Sequence, residues 1–258
     1  MPKSLRTLDD HVQNTLESRS RTQAGRFQPM EPGTERVADV VACSCAAVAG
    51  AFANDGFRWS KSALRFSRKV GAFTHIVSFQ SDSANTSGSH VGVTIHAQVK
   101  SSVLAEWRET AGVTTGDNIW STQIGYLSLA HDYLKWQLVD PVMRQVEVAS
   151  MVNAVRAFVM PAFAVCSTKE GLSAQLLERR EITWTPDWAI DVALWVDNKA
   201  AAQALIDSYL ASHSDLTKTF IDYSLFEATN PSASRPADPI HCLAWVASRH
   251  GLRVPSAT

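Results

Sequence analysis

From residue 64 to residue 99 the apolar positions recur every second residue, and on both sides of that region they recur every third or fourth. In 64–70, Leu64, Phe66 and Val70 alternate with Arg65, Ser67 and Lys69, and Gly71 makes a turn. In 72–80, Phe73, His75, Val77 and Phe79 share one face, and Thr74, Ile76, Ser78 and Gln80 share the other. After the polar loop SDSANTSGS, 91–99 sets Val91, Val93, Ile95, Ala97 and Val99 against Gly92, Thr94, His96 and Gln98. Such alternation is the mark of half-buried antiparallel strands. Two more strands are expected, at 119–127 with Trp120, Ile124 and Tyr126 on one face, and at 133–139 with Leu134, Trp136 and Leu138 on one face.

Around this region the period is helical. A helix is expected at 35–53, through Val37, Val40, Val41, Ser44, Val48, Ala51 and Phe52, stopped by Asn54-Asp55-Gly56. A short one follows at 101–110, with Ser101 or Ser102 as N-cap. Asp140-Pro141 opens a long helix, 142–159, that ends near Pro161, and Ser167-x-x-Glu170 is a capping-box pattern for the next, to about residue 180. Residues 184–196 fit strand or helix: Ile190, Val192, Leu194 and Val196 alternate, while Trp188, Val192 and Trp195 keep a helical spacing. Helices at 198–212, after Ser214 and at 240–250 complete the chain, the last ended by Gly251. The pattern predicts an α+β fold: an antiparallel meander of about five strands with helices on one face, followed by a mainly helical C-terminal half. It divides the chain into a polar arm (1–34), a helix-plus-sheet domain (35–140) and a helical region packed on the sheet (141–258).

Composition narrows the function classes. Of 258 residues 45% are hydrophobic and 19% charged, enough for a sizeable core. The net charge of −1 gives no global pull toward nucleic acid or an anionic membrane. Residues 1–10 lack the apolar stretch of a secretory signal, and the most apolar run, 37–53, is short for a bilayer span and carries Asp39. A cytoplasmic protein is therefore expected. Cys43, Cys45, Cys166 and Cys242 lack metal-ligand spacing and read as small buried thiols in a reducing compartment.

Several features, in order, carry a family resemblance: Asn54-Asp55-Gly56-Phe57-Arg58 at the end of the first helix, Phe66-Ser67-Arg68, Ile76-Val77-Ser78-Phe79-Gln80-Ser81, then a loop with Asn85 and an alternating strand. Over residues 38–140 the chain resembles the bacterial domain-of-unknown-function family four-three-zero-four, and Phe79-Gln80-Ser81 is the most distinctive piece. The resemblance implies the helix-plus-meander fold and little about activity, since it carries over no established catalytic residues. Related small bacterial α+β domains act as immunity or accessory proteins in toxin and defence systems, an analogy at the level of fold.

Catalytic and metal motifs are missing. By strand parity His75 belongs to the apolar face, while His90 and His96, on the other, are about 20 Å apart at strand rise, too far for one ion. Neither Gly-x-Ser-x-Gly nor a phosphate-binding glycine loop occurs, and the adjacent His241 and Cys242 do not meet as base and nucleophile. No metal and no cofactor is implied. What remains is the polar sheet face, where Arg65, Lys69, Gln80, His96, Gln98, Gln123 and Lys135 are the candidate binding residues. Arg65, Lys69 and Lys135 form a basic stripe, but the aromatic residues fall on the buried face, which disfavours nucleic acid. The expectation is a non-enzymatic protein that recognises another macromolecule, a protein before nucleic acid, with no membrane partner, on the pattern of an immunity protein. The alternative is an enzyme of unrecognised class, with a pocket between sheet and C-terminal helices lined by Trp184, Trp188 and Trp195.

Overall fold

The alternating region folds into antiparallel strands, as its period demands. The structure, a computed structural model, describes residues 35–112, 116–177 and 186–254, with the backbone alone at 175–177 and 186–188. The polar arm 1–34 and Trp184 lie outside the described residues, as does the side chain of Trp188. Six strands make one sheet: β1 (Arg58–Ser60), β2 (Arg65–Val70), β3 (Phe73–Ser81), β4 (Gly92–Ser101), β5 (Asn118–Gln123) and β6 (Trp136–Gln137). Their order is β1-β2-β3-β4-β5, with β6 also paired to β4. The sixth strand in excess of the expected meander is β1, whose three residues are too few to show an alternation.

The last two strands are shorter than the pattern predicts. β5 stops at Gln123, and Ile124–Leu127 is a 3₁₀ turn. Gln123 itself breaks the strand: its Oε1 accepts the Gly125 N–H at 2.7 Å, and its Nε2 donates to the Leu134 carbonyl at 2.5 Å. Gly125 admits the returning chain, since a Cβ there would lie 1.9 Å from the Asp132 carbonyl oxygen. Tyr126 is therefore in a turn, and of 133–139 only Trp136 and Gln137 pair as strand. β5 and β6 share one flank of β4, β5 at His96–Lys100 and β6 at Gly92 and Val93.

Helices cover the face of Phe66, Val77, Phe79, Ile95, Val99 and Trp120. α1 (Val37–Gly50) leads into Phe52, whose ring stacks on Phe66 with centroids 5.4 Å apart, while Phe57 meets Phe66 edge-on. α2 (Ser102–Thr110) follows β4 directly, with Ser101 Oγ accepting the Leu104 N–H as N-cap. α3 (Arg144–Ala154) and α4 (Met160–Val165) form one continuous helix joined by a π turn at Val155–Val159. This corrects the expected stop near Pro161. Proline lacks an N–H and crowds the carbonyl four residues back, and the wider π turn just before it accommodates both. The helix begins at Arg144 rather than 142, after a turn in which Asp140 Oδ1 accepts the Val142 N–H. At 22 residues, Arg144–Val165 is long and apolar enough to cross a membrane by length and composition. Here Met151, Val155, Val159 and Phe163 belong to the core against the sheet.

α5 (Lys169–Leu177) is capped by Thr168, whose Oγ1 accepts the Gly171 N–H, and not by Ser167, which turns inward. The ambiguous stretch is helix, α6 (Pro186–Trp195). Every residue from Ala189 to Trp195 is buried, the ion-paired Asp191 included, and a helix buried all round has no single face for a period to reveal. α7 (Lys199–Ser212) is capped by Asn198, and α8 (Thr217–Thr229) and α9 (Pro239–His250) pack as a pair, with Asp238 as N-cap of α9 and Gly251 left-handed at its end.

Candidate interaction face

The face of the sheet opposite the core is a polar grid fixed by the register. One row runs Ser60, Arg65, Ser78, His96, Gln123; the next runs Arg58, Ser67, Ile76, Gln98, Ser121; a third runs Lys69, Thr74, Lys100, Asn118. Gln80 stands opposite Thr94. Arg58, Arg65, Lys69, Gln80 and Ser121 are exposed, and Ser67, Thr74, Ser78, His96 and Gln98 are half-buried. Ile76 is buried yet stands apart from the main core, between Ser67 and Gln98.

The structure separates the residues picked out by pattern. Arg65, Lys69, Gln80, His96 and Gln98 share this face, and the amide of Gln98 donates to Asn118 Oδ1 at 2.9 Å. Gln123 shares the face by register but is buried, its amide spent on the turn that ends β5. Lys135 lies in the loop before β6 and pairs with Asp82. Asp82 anchors the loop between β3 and β4: it also accepts from Ala84 N–H and meets His90 Nε2 at 3.3 Å. Those hydrogen bonds, Ala84 first and then Lys135 and His90, hold its carboxyl far below the usual range. Gln137 closes the network, with Nε2 2.7 Å from His90 Nδ1 and Oε1 accepting the Val91 N–H. His90 is thus a loop brace. His96 is held neutral-leaning by burial, which lowers its pKa, and its ring is 3.4 Å from Thr94 Oγ1.

The charge on the face is one-sided. Lys100 is matched by Asp117 at 3.1 Å, and Lys135 by Asp82. Arg58, Arg65 and Lys69 form no ion pair among the described residues. Arg58 was not legible as a site residue: it joins the face only because β1 pairs with β2, placing it opposite Ser67 between Arg65 and Lys69.

The buried polar clusters elsewhere are structural in their chemistry. His75, wholly buried, accepts at Nδ1 from Arg68 Nε at 3.2 Å, and its Nε2 lies 3.2 Å from Ser167 Oγ. Ser167 donates to the Phe163 carbonyl at 2.5 Å, so its proton is committed away from the imidazole. Burial, and then the Arg68 charge, push the His75 pKa down to about 4, a poor base in a site without access. Asp191 of α6 binds Arg235 at 2.9 Å and, reaching back to α2, Arg108 at 3.4 Å. His241 faces Glu227, 2.7 Å away, while Cys242 faces Arg235, so the neighbouring pair points in two directions. Of the four thiols, three are buried, but Cys43 is exposed, contrary to the reading of all four as buried. Trp195 packs edge-on against Phe73, inside the core. No cluster of three or more His, Cys, Asp or Glu side chains suited to a metal ion occurs among the described residues.

No family model matches the chain, and neither the curated proteins nor the solved structures compared with it give a match.

Proposed function

We propose that this chain is a non-catalytic binding protein that recognises another macromolecule, a protein before a nucleic acid, through the polar face of its sheet. The observation that carries the reading is the register grid: Arg58, Arg65, Lys69 and Gln80 stand exposed on a rigid antiparallel scaffold, flanked by the hydroxyls and amides of Ser67, Ser78 and Gln98. Strand pairing fixes the backbone from which these side chains project, so binding requires no ordering of the main chain here, which favours recognition. The aromatic residues of the same strands, Phe66, Phe79 and Trp120, lie in the core, so these strands offer this face no stacking surface for bases. Four free thiols, three of them buried, suit a reducing compartment such as the cytoplasm. An immunity-type role, by analogy with related small bacterial α+β domains, fits a chain whose described polar clusters brace the fold.

The test is affinity capture from the native host with the wild-type chain and with a variant in which Arg65, Lys69, Gln80 and His96 are all alanine. Loss of the partner from the variant is expected. A partner retained in full removes the face from consideration.

A further inference from the structure

We infer that the occupant of this face is an extended acidic segment of a partner protein, read by Arg58, Arg65 and Lys69. The inference rests on the binding reading above and names the chemistry of its partner. Arg65 and Lys69 lie four residues apart on β2, a separation of about 13 Å at strand rise. Arg58 lies opposite Ser67, midway between them and about 5 Å to the side on the next strand. An extended peptide presents every second side chain on one face at a repeat of about 7 Å. Carboxylates at positions i, i+2 and i+4 therefore meet Arg65, Arg58 and Lys69 in turn. Lys100 of the same face is already matched by Asp117, and Lys135 of the loop before β6 by Asp82, so among the described residues the cations of this face without an ion pair stand on β1 and β2. A chain of net charge −1 has concentrated within one patch of a sheet three cations that form no ion pair among the described residues. Ser67, between Arg65 and Lys69 on β2, and Ser78, opposite Arg65 on β3, supply hydroxyls for the backbone of such a segment. Nucleic acid shares the charge but lacks a stacking surface here, because Trp59, Phe66 and Phe79 point into the core.

The decisive experiment uses the full chain and a fluorescent peptide of alternating Glu and Ser, with a Lys-Ser peptide and a thymidine oligonucleotide as comparison probes. Arg58→Glu, Arg65→Glu and Lys69→Glu are combined in one variant, and Lys218→Glu, exposed on α8, serves as the off-face control. The Glu-Ser peptide is expected to bind at low salt, to weaken at ~0.5 M salt, and to weaken at least about tenfold in the triple variant. Lys218→Glu leaves its binding unchanged. An unaltered melting temperature of the triple variant, whose three positions are exposed, shows that the fold persists. Equal binding of the peptide by wild type and triple variant overturns the inference, as does equal binding of the Lys-Ser peptide. Preferential binding of the oligonucleotide, lost in the triple variant, replaces the acidic protein by nucleic acid. If the Glu-Ser peptide fails to bind while capture of the host partner is lost in the alanine variant, the acidic chemistry falls and the face stands. If capture is retained as well, both readings fall.

Discussion

The imidazole of His75 lies almost flat on the ring of Phe163, with 4.4 Å between centroids and 13° between planes. The contact joins β3 to α4 at the centre of the core and gives the fold a pH dependence. Folded, His75 titrates at about 4; unfolded, it titrates near ~6.5. Between those values the unfolded chain takes up a proton that the folded chain refuses. Its contribution is therefore fully present above about pH 6.5 and is lost as the pH falls toward about 4, a change on the order of 2–3 kcal/mol. His96 and His250, also lowered by burial, act in the same direction. Urea midpoints at pH 7.5 and pH 4.5 measure the drop, and His75→Gln reduces it. A drop of unchanged size in the variant rejects this assignment.

Gly125 is the tightest point of the turn that ends β5. An added Cβ there meets the Asp132 carbonyl oxygen at 1.9 Å and the Leu134 side chain at 2.7 Å. Gly125→Ala forces the two passes of the loop apart and costs about 1–3 kcal/mol. Chemical denaturation reads the loss, and a variant as stable as wild type shows that the turn relaxes freely.

Glu227 holds α8 and α9 together through three donors. It accepts from the Ser232 N–H at 2.8 Å, from the Ser232 hydroxyl at 2.5 Å, and from His241 at 2.7 Å. Burial pushes its pKa upward, but these hydrogen bonds outweigh burial and the net shift is downward. Glu227→Leu leaves the donors unanswered and costs about 2–4 kcal/mol, whereas Glu227→Gln keeps an acceptor and costs less. Thermal unfolding of the two variants orders them, and equal midpoints for Leu and Gln contradict the account.

The thiols differ in access. Cys43 is exposed on α1, while Cys45, Cys166 and Cys242 are buried. Burial pushes Cys45 up to about 12, and Cys166 up to about 11 against the opposing hydrogen bond from Trp120. A thiol reagent at neutral pH is expected to modify one cysteine rapidly in the folded protein and all four in denaturant. Mass mapping places the fast adduct, and rapid modification of Cys45 or Cys166 refutes the core packing.

What the sequence made legible follows from which residues face one way. The strands 65–101 alternate because one face meets Phe52 and Phe163 while the other meets solvent, and their bounds match the pattern within a residue or two. Ser101, Asn198 and Gly251 announced their helix ends correctly, since caps are local chemistry. Two of the misreadings involve a side chain recruited from elsewhere in the chain. Ser167 left its helix terminus for His75, 92 residues earlier in the chain. Gln123 left the polar face to bind Leu134. Pro161 sits inside a helix because the turn before it is widened, a tertiary accommodation that leaves no local mark. Among the candidate site residues, Arg65, Lys69, Gln80 and His96 were placed on one face by parity alone, and Arg58 escaped because pairing partners are not written in a three-residue strand.

β4 has neighbours along both flanks: β3 over its length from Val93 to Ser101, and β5 and β6 in succession on the other side. Between Gly92 and Lys100 that second flank is interrupted only at Thr94 and Ile95, which fall between β6 and β5. Amide hydrogens where β3 and β5 both pair with it, those of Ala97 and Gln98 among them, should exchange with deuterium only when the whole molecule unfolds. β6 is held to β4 by two register pairs, Gly92 with Gln137 and Val93 with Trp136, so it opens in small local excursions and exchanges early. The sheet thus unzips from the flank that carries the Gly125 turn, and the strand that threads its centre is the last to let go.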